Sequence, residues 1–322
     1  MTELDYRIRP FEPTDESQVL ALFRASLQWD DDERFRSLFR WKHLDGPWGP
    51  SPAWVADRDG ALIGFRAMLR WQFVVDGRPI DAVRAIDTAT HPDHRGRGIF
   101  RSLTMHSVEQ LTGDGLGFVF NTPNDQSRPG YLKMGWRQLG RVSVQVMPAR
   151  PSSALRTLRA RVPAEFWSIP SDVGRPAQTG LDAEGADRVG PSVAGVMTTN
   201  RTGSYLRWRY GLDALHYRLW TVQGTAAYVV FRIRRRGEAR ELVVDEFGAA
   251  ETLSPLERVS TLRDLLRATR CDHALMTRTV GTPRSGVPLP RTGPILTWRA
   301  LTSHDPPTLA SWHLSMGDIE LF

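Results

Sequence analysis

Two glycines alternating with arginines are the residues of this 322-residue sequence whose spacing points most directly to chemistry. Arg95-Gly96-Arg97-Gly98 follows a β-like stretch from Ile80 to Thr90 and the loop His91-Pro92-Asp93-His94. It opens an amphipathic stretch that runs from Ile99 to Leu111. A diphosphate is bound by several backbone N–H groups converging on it. The first turn of a helix presents such groups along with the positive end of its dipole. A side chain would obstruct that approach, so glycine is needed at alternate positions. Arg95, Arg97 and Arg101 add positive charge. A Gly-x-Gly alone says little; the strand, loop and helix around it make a phosphate cradle the better reading.

Elements must hold this turn in place. The spacing predicts a strand over 5–9 and a helix from Thr14 through Leu27, with Val19, Leu20, Leu22, Phe23 and Leu27 on one face. A second helix is expected over about 31–43. Strands follow at 53–58 and 61–75, joined at Asp59-Gly60, a hairpin signal. The strand 80–90 leads to the glycine turn. A short buried strand at 117–121, a helical turn at 129–133 and one strand over 136–147 complete the pattern. Residues 148–198 are rich in Pro, Gly, Ala and Ser and keep no period, with local helix expected at Ser153 to Arg161.

The chain then echoes itself. Arg40-Trp41-Lys42-His43 and the hairpin after it match Arg207-Trp208-Arg209-Tyr210 and a hairpin turning at Gln223-Gly224. Ala85-Ile86-Asp87 lines up with Val243-Val244-Asp245, and a helix and a short apolar strand follow each. The second copy has Leu253-Ser254-Pro255-Leu256-Glu257 where the first has its glycines. That segment caps a helix well but cannot wrap a diphosphate. The expected organisation is residues 1–150 as a cofactor-binding catalytic domain, 151–198 as a connecting region and 199–322 as a degenerate copy.

The run Thr88 to Ile99 resembles the acetyl-CoA motif of the GNAT N-acetyltransferases, and the first copy keeps that family's element order over about 5–147. Asn124, Tyr131, Gly135 and Trp136 stand at the family's next spacing. The sequence departs from the pattern at Phe100, where the family usually has Gly or Ala. The resemblance implies an α/β (α+β) fold of two GNAT-like domains, the second without a cofactor loop. Each would have a mixed, mostly antiparallel sheet flanked by helices.

The resemblance further implies acetyl-CoA, or another acyl-CoA, as cosubstrate, with direct transfer to an amine. Thr88, Ala89, Thr90, Arg95, Gly96, Arg97, Gly98, Ile99, Phe100 and Asn124 would hold the cofactor. Tyr131 would protonate the leaving thiolate. Asp87 either takes the amine's proton or serves the fold, since Asp245 repeats it in the copy that lacks the loop. Trp48 and Trp41 border the expected acceptor cleft and can stack on a ring or sugar, though Trp208 repeats Trp41 and argues for packing there. The expected reaction is acetylation of a primary amine on a small molecule. An acyl-CoA sensor without turnover and an aminoacyltransferase of the peptidoglycan type are the alternatives.

Composition excludes less. Net charge is +6. The basic residues are dispersed and no nucleic-acid motif accompanies them, so a nucleic-acid partner is not expected. No apolar run is long enough for a membrane span. The single cysteine, Cys271, cannot form an internal disulfide, which makes the cytoplasm the default location. His91, His94 and His106 lack the spacing of a metal site, and none is expected. A monomer or homodimer is anticipated, with the tail from Trp312 to Phe322 frayed.

Overall fold

The computed structural model describes residues 5–150, 162–183, 194–280, 282, 284–302 and 308–320. The helix expected at 153–161 lies outside them. Among the described residues no helix is long and apolar enough to cross a membrane. In chain order the elements are β1 (Arg7–Pro10), α1 (Glu16–Leu27), α2 (Glu33–His43), β2 (Ala53–Arg58), β3 (Ala61–Val75), β4 (Arg78–Thr90), α3 (Ile99–Thr112), β5 (Phe118–Asn121), α4 (Arg128–Lys133), β6 (Arg137–Arg141) and β7 (Val144–Pro148). There follow β8 (Arg175–Pro176), α5 (Ala177–Ala183), β9 (Met197–Thr199), α6 (Gly203–Arg209), β10 (Arg218–Thr221), β11 (Tyr228–Arg236) and β12 (Ala239–Gly248). The last are α7 (Pro255–Thr269), β13 (His273–Thr277), β14 (Val287–Leu289), β15 (Ile295–Ala300), β16 (Trp312–His313) and α8 (Met316–Ile319).

The chain folds as two compact units. The first takes the sequence to Gln72, Ile80–Leu139 and Leu296–Pro306. Its sheet runs β1-β2-β3-β4-β5-β15-β6; β1–β2, β2–β3 and β5–β15 pair antiparallel, and β4–β5 pairs parallel. Neighbouring residues on a strand face opposite ways. Leu62 therefore joins Val19, Phe23 and Phe39 of α1 and α2, while Ile63 joins Ile99, Leu103 and Leu111 of α3. The expected hairpin forms: Asp59 and Gly60 both take positive φ, at 52° and 87°, as a tight two-residue turn requires.

Gly64 lets α3 lie close on the sheet. A Cβ there would come within 2.6 Å of Ile99 Cγ2 and 3.0 Å of Leu103 Cδ1. Gly64→Ala is expected to destabilise the protein by about 1–3 kcal/mol, as overpacking does. A thermal melt checks this, and an unchanged midpoint would show that α3 shifts outward freely.

The second unit takes Phe73–Pro79, Gly140–Ile295 and the sequence from Pro307. Its main sheet runs β14-β7-β13-β12-β11-β10-β8. β9 pairs with β16 and with Phe73–Val74 at the end of β3. Leu262, Leu265 and Leu266 of α7 pack on Val229, Phe231 and Ile233 of β11. Ser254 and Glu257 form the expected reciprocal cap at the head of α7.

The strand expected over 136–147 is two strands, and they lie in different sheets. β6 stays with the first unit, whereas β7 lies between β13 and β14 in the second. In return β15, late in the sequence, lies between β5 and β6. The boundaries read from the sequence at 150 and 198 thus give way to interleaved units. A backbone ladder carries no label of origin, so an open sheet edge accepts a strand of either copy.

The tail is ordered through Glu320 rather than frayed, because buried arginines of the second unit need acceptors there. Arg201 meets Asp318 at 2.6 Å and Glu246 at 3.0 Å. Arg209 donates to the carbonyls of Gly317 and Glu320, both at 2.7 Å. Arg232 meets the Glu320 carboxylate at 2.8 Å. Beside them His313 is buried, which lowers its pKa from the ordinary 6.5 to about 4 with Arg201 assisting. The unfolded chain therefore binds more protons than the folded one between those values. This contribution is complete above about pH 6.5 and is lost as the pH falls through about 4. It amounts to roughly 3 kcal/mol. His313→Gln is expected to flatten the stability profile in that window, as denaturant melts from pH 7 to pH 4 would show.

Candidate active site

The glycine turn has the geometry its sequence implies. Gly96 and Gly98 sit at φ 77° and 78°, a region costly for side-chain-bearing residues. A Cβ at either would point into open space. Gly98 is the N-cap of α3. The first helical turn has no intrahelical acceptors for its N–H groups, and here they face the opening left by the glycines. Arg95, Arg97 and Arg101 are exposed, and Arg97 touches Asp5 at 3.3 Å. Ile99 is buried and anchors the helix. A phosphate-bearing ligand fits this cradle.

Phe100, the departure from the family pattern, packs its ring against α4. The ring lies 3.0 Å from where a Gly130 Cβ would stand, so Gly130 provides the room. Its edge meets Tyr131, ring centres 5.3 Å apart, and Trp136 closes the other side at 5.2 Å. Tyr131 is buried, and its hydroxyl accepts a hydrogen bond from Arg66 Nη1 at 2.7 Å. Arg66 on β3 is fully buried, lies 5.4 Å from the Tyr131 ring centre, and has no partner for its Nε. The phenol thus stands beside a buried guanidinium. Composition reveals Arg66 only as a charge inside the apolar run Phe65 to Leu69.

Asp87 lies where β4 leaves its regular path. The parallel pairing with β5 extends from Ala82–Phe118 to Arg84–Phe120. Asp87 lies three residues beyond, at φ 45°. Its Oδ2 receives Lys42 Nζ at 2.5 Å and His43 Nε2 at 2.9 Å, both from α2. Burial works to raise the carboxyl's pKa, but Lys42 and His43 outweigh it, so it is held below the ordinary range. Burial likewise lowers the pKa of Lys42 and of His43, with Asp87 offsetting part of each shift. His43 Nδ1 lies 3.1 Å from Ser51 Oγ.

The other expected residues are placed less uniformly. Thr88 Oγ1 lies 3.5 Å from the Phe65 carbonyl, Ala89 is in the core, and the Thr90 carbonyl accepts from Ser26 at 3.0 Å. Any contact from Thr88 and Ala89 to a pantetheine arm is therefore through main chain. Asn124 uses its side-chain oxygen within the turn before α4, accepting from the N–H groups of Gln126 at 3.1 Å and Ser127 at 2.9 Å and from the Ser127 hydroxyl at 2.9 Å. Only its amide nitrogen is left to offer a ligand. Trp41 is buried in the core, as its repeat Trp208 is. Trp48 is half-buried against Trp71, centres 5.8 Å apart. Neither lines a cavity of about 570 Å³ in this unit, which is walled by Phe11, Phe39, Phe65, Trp54, His43 and Ser51 among others.

Solved structures share this fold. A GCN5-related N-acetyltransferase from Anabaena variabilis is 14% identical with a TM-score of 0.61, over 92% of this chain and 73% of that one. One from Kribbella flavida is 14% identical with a TM-score of 0.60, over 92% and 72%. Eis1 from Mycobacterium abscessus is 17% identical with a TM-score of 0.57, over 92% and 73%. No curated protein gives a match. Residues 7–139 match the family model described as the acetyltransferase (GNAT) domain. The protein is an acyltransferase whose cosubstrate is an acyl-CoA.

Proposed function

We propose that the protein transfers an acetyl group from acetyl-CoA directly to the primary amine of a small molecule. The observation that carries this is the pairing of an open glycine turn at the head of α3 with a buried phenol on α4. The turn holds the diphosphate. The main chain of Thr88 to Thr90 meets the pantetheine arm, and Tyr131 gives its proton to the thiolate as the C–S bond breaks. Arg66 stabilises the phenolate that results and the charge it replaces. No protein nucleophile is needed, because holding amine and thioester together supplies much of the rate.

The cavity walled by Phe11, Phe39, Phe65 and Trp54 supports an acceptor whose amine is carried on an apolar or aromatic body. The test is thiol release from acetyl-CoA across a panel of primary amines. Amine-dependent release supports the reading. Binding of acetyl-CoA with no amine stimulating release would make the protein a sensor instead.

A further inference from the structure

We propose that His43, rather than Asp87, is the base of the first unit, and that it takes the amine's proton through Ser51 at the wall of the cavity that binds the acceptor. This rests on the amine-acetylation reading above. Ser51 Oγ, His43 and Asp87 form one line, with Oγ 3.1 Å from Nδ1 and Nε2 2.9 Å from Oδ2. His43 and Ser51 both border the cavity, whereas Asp87 does not. The one carboxylate oxygen shared by Lys42 and His43 already accepts two donors.

The chain of bonds fixes which nitrogen is basic. Asp87, beside Lys42, is ionised, so the Nε2 facing it must carry the hydrogen. Neutral His43 then has its lone pair on Nδ1, where the Ser51 hydroxyl at 3.1 Å can donate; the Lys42 carbonyl at 3.4 Å is that hydroxyl's other, longer acceptor. Asp87 holds the tautomer and matches the charge of the imidazolium that forms. The groups facing the ring support this state. Burial, and then Lys42 on its own helix, oppose protonation; Asp87 favours it. Phe39 and Phe65 cover the ring at 4.9 Å and 6.0 Å and keep it dry. Arg70 also lines the cavity, its Nε donating to the Pro50 carbonyl at 3.3 Å.

The step balances. As the amine nitrogen bonds to the acyl carbon, its N–H proton passes to Ser51 Oγ. Ser51's own proton passes to His43 Nδ1, and the C–S bond breaks with the thiolate protonated by Tyr131. The imidazolium later returns its proton to water through the cavity, and the Tyr131 phenolate takes one proton back from water, so both groups are restored.

The expected result is a fall in kcat of about 100-fold in His43→Gln, the low end of general-base losses, and a smaller fall of about tenfold in Ser51→Ala, where water can stand in for the hydroxyl. KM for acetyl-CoA should move less than about twofold, and the acidic limb of the kcat/KM profile should vanish in His43→Gln. A folded His43→Gln protein that keeps its kcat or its acidic limb overturns the proposal. If that variant does not fold, Ser51→Ala decides, and unchanged kcat overturns it. Nitrogen-15 NMR of histidine-labelled wild-type protein reads the tautomer without any turnover. A hydrogen on Nδ1 rather than Nε2 at neutral pH overturns the relay. Absence of amine-dependent thiol release from the wild type counts instead against amine acetylation itself.

Discussion

Tyr131→Phe is expected to lower kcat by about 100-fold or more while acetyl-CoA binds as before. The substitution removes one oxygen and leaves the ring, so the contacts with Phe100 and Trp136 persist. The thiolate then leaves without its proton donor. A second effect follows from Arg66, which loses the hydroxyl that accepts from its Nη1. An orphaned buried donor costs about 1–3 kcal/mol, so the melting temperature should drop even though the core is unchanged. Single-turnover thiol release, calorimetric titration with acetyl-CoA and a thermal melt separate the three quantities. Unchanged kcat would remove Tyr131 from the chemistry and leave Phe100 and Arg66 as packing.

Gly98→Val should act on binding. Gly98 has φ 78° and nothing near the position of a Cβ. The added side chain would therefore meet no protein atom, yet it would stand before the first-turn N–H groups of α3 and strain the backbone by more than about 1–2 kcal/mol. Affinity for acetyl-CoA is expected to fall about 100-fold or more, which corresponds to roughly 2.8 kcal/mol. Titration of acetyl-CoA into the variant checks this. A Kd within threefold of the wild type would move the diphosphate site elsewhere.

The sequence carries the elements of this protein better than their partners. Helices α1 to α3 and the hairpin at Asp59-Gly60 follow from periodicity and turn chemistry, which act over a few residues. The glycine turn is legible for the same reason: its strand, loop and helix are contiguous. The neighbours of Tyr131 and Asp87 are not. Arg66 stands 65 residues from Tyr131 and His43 stands 44 from Asp87. Only the folded sheet brings each pair together, and no spacing rule reaches that far. Ser51 had no signal at all; it meets His43 because the chain turns back after α2. The fate of β7 was equally hidden, since a strand's alternation says which face is buried and nothing about which edge it joins. Asn124 shows the opposite case: its place before Asp125 fits a turn as well as a ligand, and the turn takes its oxygen.

The exchange of β7 and β15 sets a timetable for the newly made chain. When β5 and β6 leave the ribosome, the strand that belongs between them has yet to be translated. The wait is on the order of ten seconds at ordinary elongation rates. Until then the edge of β5 exposes unpaired N–H and C=O groups, a template for wrong pairing. The first unit cannot mature until the later sequence is made, because that sequence supplies the strand between β5 and β6.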